Sequence, residues 1–128
     1  MYSQDRNHLL YLNDILQSIR KIEKYTKEMS FKALKKNQLV VDAVIRNFEI
    51  IGEAAKNIPK HIKDNYPDTE WKEAAGFRDV LIHDYFGVDV QAVYDTIKNN
   101  LPSYCQKIYR NHIICFVIII NRQKDYKI

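Results

Sequence analysis

The chain has 128 residues, of which 46% are hydrophobic and 28% charged. This is enough for one domain with a buried core and too little for two domains of ordinary size. Three glycines and three prolines exclude a turn-rich β-sandwich, and two cysteines exclude a disulfide framework, which favours a reducing cytoplasm. The net charge of +4 permits contact with a phosphate backbone without requiring it.

Export and membrane segments are not predicted. Charged residues interrupt the first 19 positions, where a signal peptide would need an uninterrupted apolar stretch. The longest apolar run, Ile113–Ile120, has 8 residues, whereas a membrane-spanning helix needs about 20. We therefore expect a soluble cytoplasmic protein without membrane contact.

Apolar residues recur at helical spacing along the first half of the chain. The first predicted helix spans about 5–29, and a connection at 30–34 leads to a second helix over about 37–57 that ends before Pro59. The stripe of the first helix consists of Leu9, Leu12, Leu16, Ile19 and Ile22. Gly52 lies inside the second helix, where glycine costs about 1 kcal/mol relative to alanine. Close helix packing or a nearby partner backbone would explain that cost.

The second half continues this pattern. A third helix is predicted over about 70–85, with Gly87 as its stop, and a fourth begins near Asp89. Pro102 lies inside the fourth pattern, so we expect a kink or a break there. Together the elements predict an all-α fold, an antiparallel bundle of four to five helices over residues 1–110. Residues 111–128 form a tail that could extend the last helix, pair as a strand or enter an oligomer interface.

The chain lacks the usual motifs of cofactor and metal sites. It has no glycine-rich phosphate loop, and its four histidines and two cysteines are scattered without metal-ligand spacing. We therefore predict no metal and no cofactor.

One short segment, residues 76–87, concentrates chemically capable side chains. Arg78 and His83 are five residues apart, which places them about 140° apart on an ideal helix. They would converge if the helix distorts near Gly87, or if a second copy of the chain meets the first across a two-fold axis. A histidine that transfers protons and an arginine that binds phosphate oxygens suffice for RNA cleavage without a metal. A surface ion pair with Asp79 and a helix cap are the alternative reading.

The same segment resembles the Arg-x4-His-x-Tyr motif of the HEPN superfamily, in the branch of the HepT ribonuclease toxins. Arg78, His83 and Tyr85 occupy the three motif positions. The resemblance also includes residues 39–57, Tyr66-Pro67 followed by Trp71, and residues 83–89. It covers roughly residues 5–109, nearly the whole predicted bundle.

This resemblance implies a specific biology. HEPN proteins are helical bundles that form homodimers with two Arg-His motifs in one cleft, and HepT-like members are metal-independent endoribonucleases. They are the toxins of type VII-like toxin–antitoxin systems, whose MntA-like nucleotidyltransferase antitoxin transfers AMP onto the motif tyrosine. By this likeness Arg78 and His83 are catalytic, Asp79 orients Arg78, and Tyr85 is the modified residue. AMP on Tyr85 would add bulk and negative charge that compete with RNA for Arg78.

Three charged residues of the second helix, Arg46, Glu49 and Glu53, share one helix face because they lie three and four residues apart. They form either a row of ion pairs within the helix or a contact of the RNA cleft or the dimer. For the whole chain two further functions stay open. It could be a non-catalytic helical binding subunit of a nucleotidyltransferase complex, or a purely structural dimer.

Overall fold

The computed structural model describes the backbone of residues 2–83 and 87–125, and the side chains of residues 8–82 and 87–113. Within these ranges the chain forms seven helices and no strand. The helices are α1 (Tyr2–Thr26), α2 (Phe31–Lys36), α3 (Gln38–Asn57), α4 (Lys60–Asn65), α5 (Trp71–His83), α6 (Val90–Asn99) and α7 (Leu101–Asp125). The predicted all-α bundle is confirmed. Its five longer helices are accompanied by the two short helices α2 and α4.

The first predicted helix is slightly misplaced, because α1 begins at Tyr2 and ends at Thr26. Glu28 follows with a left-handed φ of 61°, a conformation that no helix continues through. The predicted connection at 30–34 contains a helix of its own, which Ser30 caps by accepting a hydrogen bond from the backbone N–H of Ala33. Asn37 then caps α3 through the N–H of Val40, close to the predicted start.

The fourth predicted helix is two helices, α6 and α7. The break lies at Asn100, two residues before Pro102, and Pro102 becomes the second residue of α7, where its missing N–H costs no helical bond. Asp89, near which this helix was predicted to begin, caps α6, since its carboxylate accepts from two backbone N–H groups. The predicted break is therefore confirmed, with a shift of two residues.

The backbone of α7 is helical across residues 113–120, which corresponds to the first of the three alternatives for the tail. The division between a bundle up to residue 110 and a tail from residue 111 stays a prediction. Within the described part of the chain, no helix combines the length and apolarity needed to cross a membrane.

The core lies between α1, α3, α5 and the first half of α7. The helix α3 packs against both α1 and α5, and α1 also packs against α7. Among the described residues, the leucine, isoleucine and valine side chains with no exposed area are Leu12, Ile15, Ile19, Ile22, Leu34, Val44 and Ile108. Each such side chain contributes about 1.5–3 kcal/mol through its removal from water. Four of them belong to α1, so this helix contributes most of these side chains to the core.

The loop before α5 is held in place by contacts of its own. The indole Nε1 of Trp71 donates to the carbonyl of Tyr66 at 3.2 Å. Arg110 of α7 donates to both carboxylate oxygens of Asp68, at 2.9 and 3.0 Å, and Lys107 lies 2.5 Å from Oε1 of Glu70. The start of α5 is thereby tied to α7.

Candidate active site

The site begins at a close approach of α3 and α5. A Cβ atom added to Gly52 would lie 2.2 Å from Cβ of Arg78 and 2.9 Å from the carbonyl oxygen of Ala74. Real Cβ atoms do not approach that closely, so only glycine allows this packing. The mid-helix glycine is explained by close helix packing, one of the two reasons predicted for it.

Arg78 lies on this crossing with its guanidinium between two carboxylates. Its Nη1 donates to Oδ1 of Asp79 at 3.1 Å, and its Nη2 lies 3.2 Å from Oε2 of Glu53 on α3. The side chain is 26% exposed, and its Nε is buried without a hydrogen-bond partner in the described part of the protein. An unpaired buried donor costs about 1–3 kcal/mol. Stability alone therefore does not account for the place of this arginine.

The three charged residues predicted on one face of α3 are divided by the structure. Arg46 lies 3.6 Å from Glu49 within the helix, and Arg46 is 71% exposed. Glu53 instead reaches across to Arg78, and its Oε1 lies 3.4 Å from the amide nitrogen of Asn57. The ion-pair reading describes Arg46 and Glu49, whereas Glu53 belongs to the surroundings of Arg78.

His83 is the last residue of α5, so its backbone lies about 7.5 Å along the helix axis from that of Arg78. Its side chain lies outside the described residues, as does Tyr85 altogether. The convergence of Arg78 with His83 and the modification of Tyr85 therefore stay predictions. Gly87, which follows, has a φ of 118°, a conformation that suits glycine and ends the segment.

Other titratable groups are distributed away from this crossing. His8 is buried against His61, with ring centroids 5.0 Å apart, and burial followed by the charge of His61 lowers the pKa of His8. Burial likewise raises the pKa of the Cys105 thiol, which makes it a poor nucleophile. Among the described side chains, no three histidine, cysteine or carboxylate residues come close enough together to hold a metal ion.

For Gly52 the sequence analysis missed the packing partner. A glycine inside a strongly patterned helix was the available signal, and it indicated close packing without naming the partner. That the partner is the base of the Arg78 side chain follows only from the crossing of α3 and α5.

Comparison with known proteins places the chain in a family. The sequence profile described as "Ribonuclease HepT-like" matches residues 15–110, which is most of the chain and includes both helices of the crossing. The chain belongs to the HepT-like ribonuclease family. The resemblance seen in the sequence is thus confirmed. No solved structure gives a significant match.

Curated relatives of the HepT-like family support the assignment. The chain is 47% identical over 98 residues to a probable ribonuclease HepT of Thermococcus cleftensis, covering 77% of this chain and 89% of the relative. It is 47% identical over 92 residues to a putative RNase of Methanocaldococcus jannaschii, with 72% and 79% covered. A putative RNase of Caldanaerobacter subterraneus is 41% identical over 92 residues, with 72% and 82% covered.

Proposed function

We propose that this chain is a metal-independent endoribonuclease and the toxin of a type VII-like toxin–antitoxin system. The observation that carries the proposal is the guanidinium of Arg78, which the crossing of α3 and α5 holds in one place in a member of the HepT-like ribonuclease family. A preorganised positive charge of this kind is what a phosphoryl-transfer reaction needs.

The proposed reaction uses two groups. His83 accepts the proton of a ribose 2′-hydroxyl, the 2′-oxygen attacks the neighbouring phosphorus, and the 5′-oxygen leaves and takes up a proton. The products are a 2′,3′-cyclic phosphate and a 5′-hydroxyl. In the free enzyme Asp79 and Glu53 orient the guanidinium of Arg78. When RNA binds, a phosphate oxygen displaces one of these carboxylates, and Arg78 stabilises the charge on the phosphate. A homodimer would bring two copies of the motif into one cleft.

Control of the enzyme belongs to the same proposal. An MntA-like nucleotidyltransferase antitoxin transfers AMP from ATP to the hydroxyl of Tyr85 and releases pyrophosphate. The added phosphate competes for Arg78, and the added nucleoside blocks the cleft. We expect mass spectrometry of the chain co-expressed with its antitoxin to find AMP on Tyr85, and Tyr85→Phe to remain toxic in the presence of the antitoxin.

The decisive experiment incubates the purified protein with mixed RNA in the presence of a chelator. We expect cleavage with cyclic-phosphate ends by the wild type, and a loss of at least about 100-fold in Arg78→Ala and His83→Ala. Circular dichroism would show that both variants keep their helical content. Cleavage that survives either substitution would remove that residue from the chemistry.

A second candidate is a non-catalytic binding subunit of a nucleotidyltransferase complex. It is favoured by one observation, that Glu53 and Asp79 already neutralise Arg78. In that case Arg78→Ala would weaken the subunit contact, and expression of the chain alone would not slow growth. Growth arrest by the wild-type chain alone, relieved by His83→Ala, would exclude this candidate.

A further inference from the structure

A surface rich in positive charge lies beside the crossing of α3 and α5. The end of α3, the short helix α4 and the start of α5 form an open pocket of about 450 Å³ there. Each of the three helices contributes one lysine to its wall, Lys56 from α3, Lys63 from α4 and Lys72 from α5. Lys56 and Lys72 are exposed, and Lys63 is half-buried. We call this feature the lysine pocket.

The three lysines have no ion-pair partner among the described side chains. Nearby carboxylates are already paired with other residues. Asp64 is held by Lys60 at 2.8 Å, and Asp68 by Arg110 at 2.9 Å. Within the described part of the chain, the one carboxylate on the wall is that of Glu73, so three lysines against one glutamate leave a net charge of +2. An excess of positive charge in a pocket attracts anions.

The lysine pocket lies on the same side of the crossing as the guanidinium of Arg78. The carboxylates that flank this guanidinium belong to Glu53 and Asp79. Lys56 follows Glu53 by three residues on α3. Ala75, which also lines the pocket, precedes Asp79 by four residues on α5. Residues at these spacings share one helix face, so the pocket is displaced from Arg78 by about one helical turn, roughly 5 Å along the helix axes.

The chemistry of the lysine pocket fits the phosphate groups of a nucleic-acid strand. A lysine carries a compact charge on a flexible stem, which can follow a phosphate oxygen. The pocket is open, so a chain can pass through it toward Arg78. A displacement of one helical turn corresponds to about one or two nucleotides, since a strand of a duplex rises about 3.4 Å per nucleotide.

We propose that Lys56, Lys63 and Lys72 bind the backbone phosphates of the RNA substrate, one or two nucleotides from the phosphate at Arg78. That the nucleic acid is a substrate rests on the proposed function. Phosphate contacts position a strand and carry no sequence information, so the pocket contributes affinity for every RNA sequence. Removal of the lysines should raise KM and leave kcat nearly unchanged, because the chemical step does not use them.

The test measures binding of a fluorescein-labelled 2′-O-methyl RNA oligonucleotide by fluorescence polarisation. This oligonucleotide has no free 2′-hydroxyl, so it reports binding without cleavage. We expect the combined variant Lys56→Gln, Lys63→Gln and Lys72→Gln to bind about 10- to 100-fold more weakly at about 0.1 M salt. The slope of log Kd against log salt should fall by about 2, since each phosphate contact on a single strand contributes about 0.7. Unchanged affinity and slope would overturn the proposal.

Two smaller variants protect this test against a folding defect. Lys56→Gln with Lys72→Gln leaves the half-buried Lys63 in place and should lower the salt slope by about 1.4. Lys72→Arg keeps the charge and should bind the oligonucleotide like the wild type, within about twofold. Circular dichroism checks that every variant is helical. A loss of binding in Lys72→Arg as large as in Lys72→Gln would contradict a role based on charge.

The matched control removes three lysines at the opposite end of α3. Lys21, Lys24 and Lys27 are exposed near the end of α1, from which the chain passes through α2 into the start of α3. The 20 residues of α3 span about 30 Å, beyond the screening length of about 10 Å at 0.1 M salt. Glutamine at all three positions should weaken binding by less than about threefold. Equal losses in both triple variants would indicate attraction by net charge alone and overturn the proposal.

A protein partner on the lysine pocket is the competing outcome. Unchanged RNA binding in the triple variant, with weaker binding of the nucleotidyltransferase or a changed oligomeric state, would overturn the proposal in favour of a protein contact. RNA cleavage by the wild type, with the same KM in the triple variant, would remove the pocket from substrate binding and leave the proposed nuclease intact. Lysine-dependent binding without RNA cleavage by the wild type would refute the nuclease and keep the phosphate site.

Discussion

Two arginine–glutamate pairs involve α3, and they differ in structure. Arg46 and Glu49 pair within one helix at 3.6 Å, with Arg46 largely in solvent. Glu53 and Arg78 pair between two helices at 3.2 Å, where Gly52 lets the arginine lie against the backbone of α3. Exposed pairs contribute little and their side chains move freely. A charge anchored at a helix crossing, by contrast, can serve chemistry that needs a fixed position.

The largest expected difference between the two pairs is in RNA cleavage. Arg78→Lys keeps the charge and loses the planar fork, so we expect cleavage to fall by about 100-fold. Arg46→Lys should change cleavage by less than about two-fold, since an exposed pair of this type contributes almost nothing. Initial rates on a fluorogenic RNA oligonucleotide measure both. Equal losses would place Arg46 in the RNA cleft, the alternative that the sequence left open.

Alanine substitutions at two glycines should change the stability of the protein in opposite directions. In Gly52→Ala the new methyl group collides with Cβ of Arg78, which is no flexible chain end, so the helices must move apart and the free energy of unfolding should fall by about 1–3 kcal/mol. The matched control is Gly76→Ala in α5, where a Cβ atom meets nothing within 4 Å. Helix propensity predicts that it stabilises the protein by up to about 1 kcal/mol.

Urea unfolding of both glycine variants measures these changes in the free energy of unfolding. Opposite signs would establish that the crossing of α3 and α5 is as tight as described. A neutral or stabilising Gly52→Ala would mean that the two helices have room to separate, and Arg78 would then not be held by packing.

The sequence was sufficient to predict the helices, but it was not sufficient to predict how α3 and α5 cross. The spacing of Leu12, Ile19 and Val44 is a local property, and capping residues such as Asn37 and Asp89 mark helix starts within a few positions. Contacts between residues 52 and 78 depend instead on how two distant helices pack. The pairing of Glu53 with Arg78 could not be read from periodicity, which grouped Glu53 with Arg46 and Glu49.

A smaller effect is expected from double-mutant cycles on the two pairs. The cycle of Glu53→Gln with Arg78→Met should give a coupling free energy of about 0.5–1 kcal/mol, since Arg78 is partly buried. The cycle of Glu49→Gln with Arg46→Met should give less than about 0.3 kcal/mol. Thermal or urea unfolding measures both. A larger coupling in the second cycle would reverse the ranking of the pairs.

The contrast between a buried and an exposed partner recurs at His8 and His61. The pKa of His8 is lower in the folded than in the unfolded protein, so the unfolded state binds the proton first. Stability is therefore full above the ordinary histidine pKa of 6.5 and falls as the pH drops below it. We expect a shallower acid decline of the melting temperature in His8→Gln. The exposed His61→Gln should retain more of the decline, and equal slopes would contradict the burial of His8.

The two ion pairs that tie the start of α5 to α7 have a consequence for hydrogen exchange. Glu70–Lys107 and Asp68–Arg110 join segments 37 and 42 residues apart in the chain. Opening of the start of α5 would break these ties and expose the buried Trp71, so the hydrogen-bonded amides of its first turns should exchange with solvent more slowly than those of a helix end without such contacts. Deuterium uptake along α5 would thus show a protected first half leading into the segment that carries Arg78, a rigid support on one side of the proposed cleft.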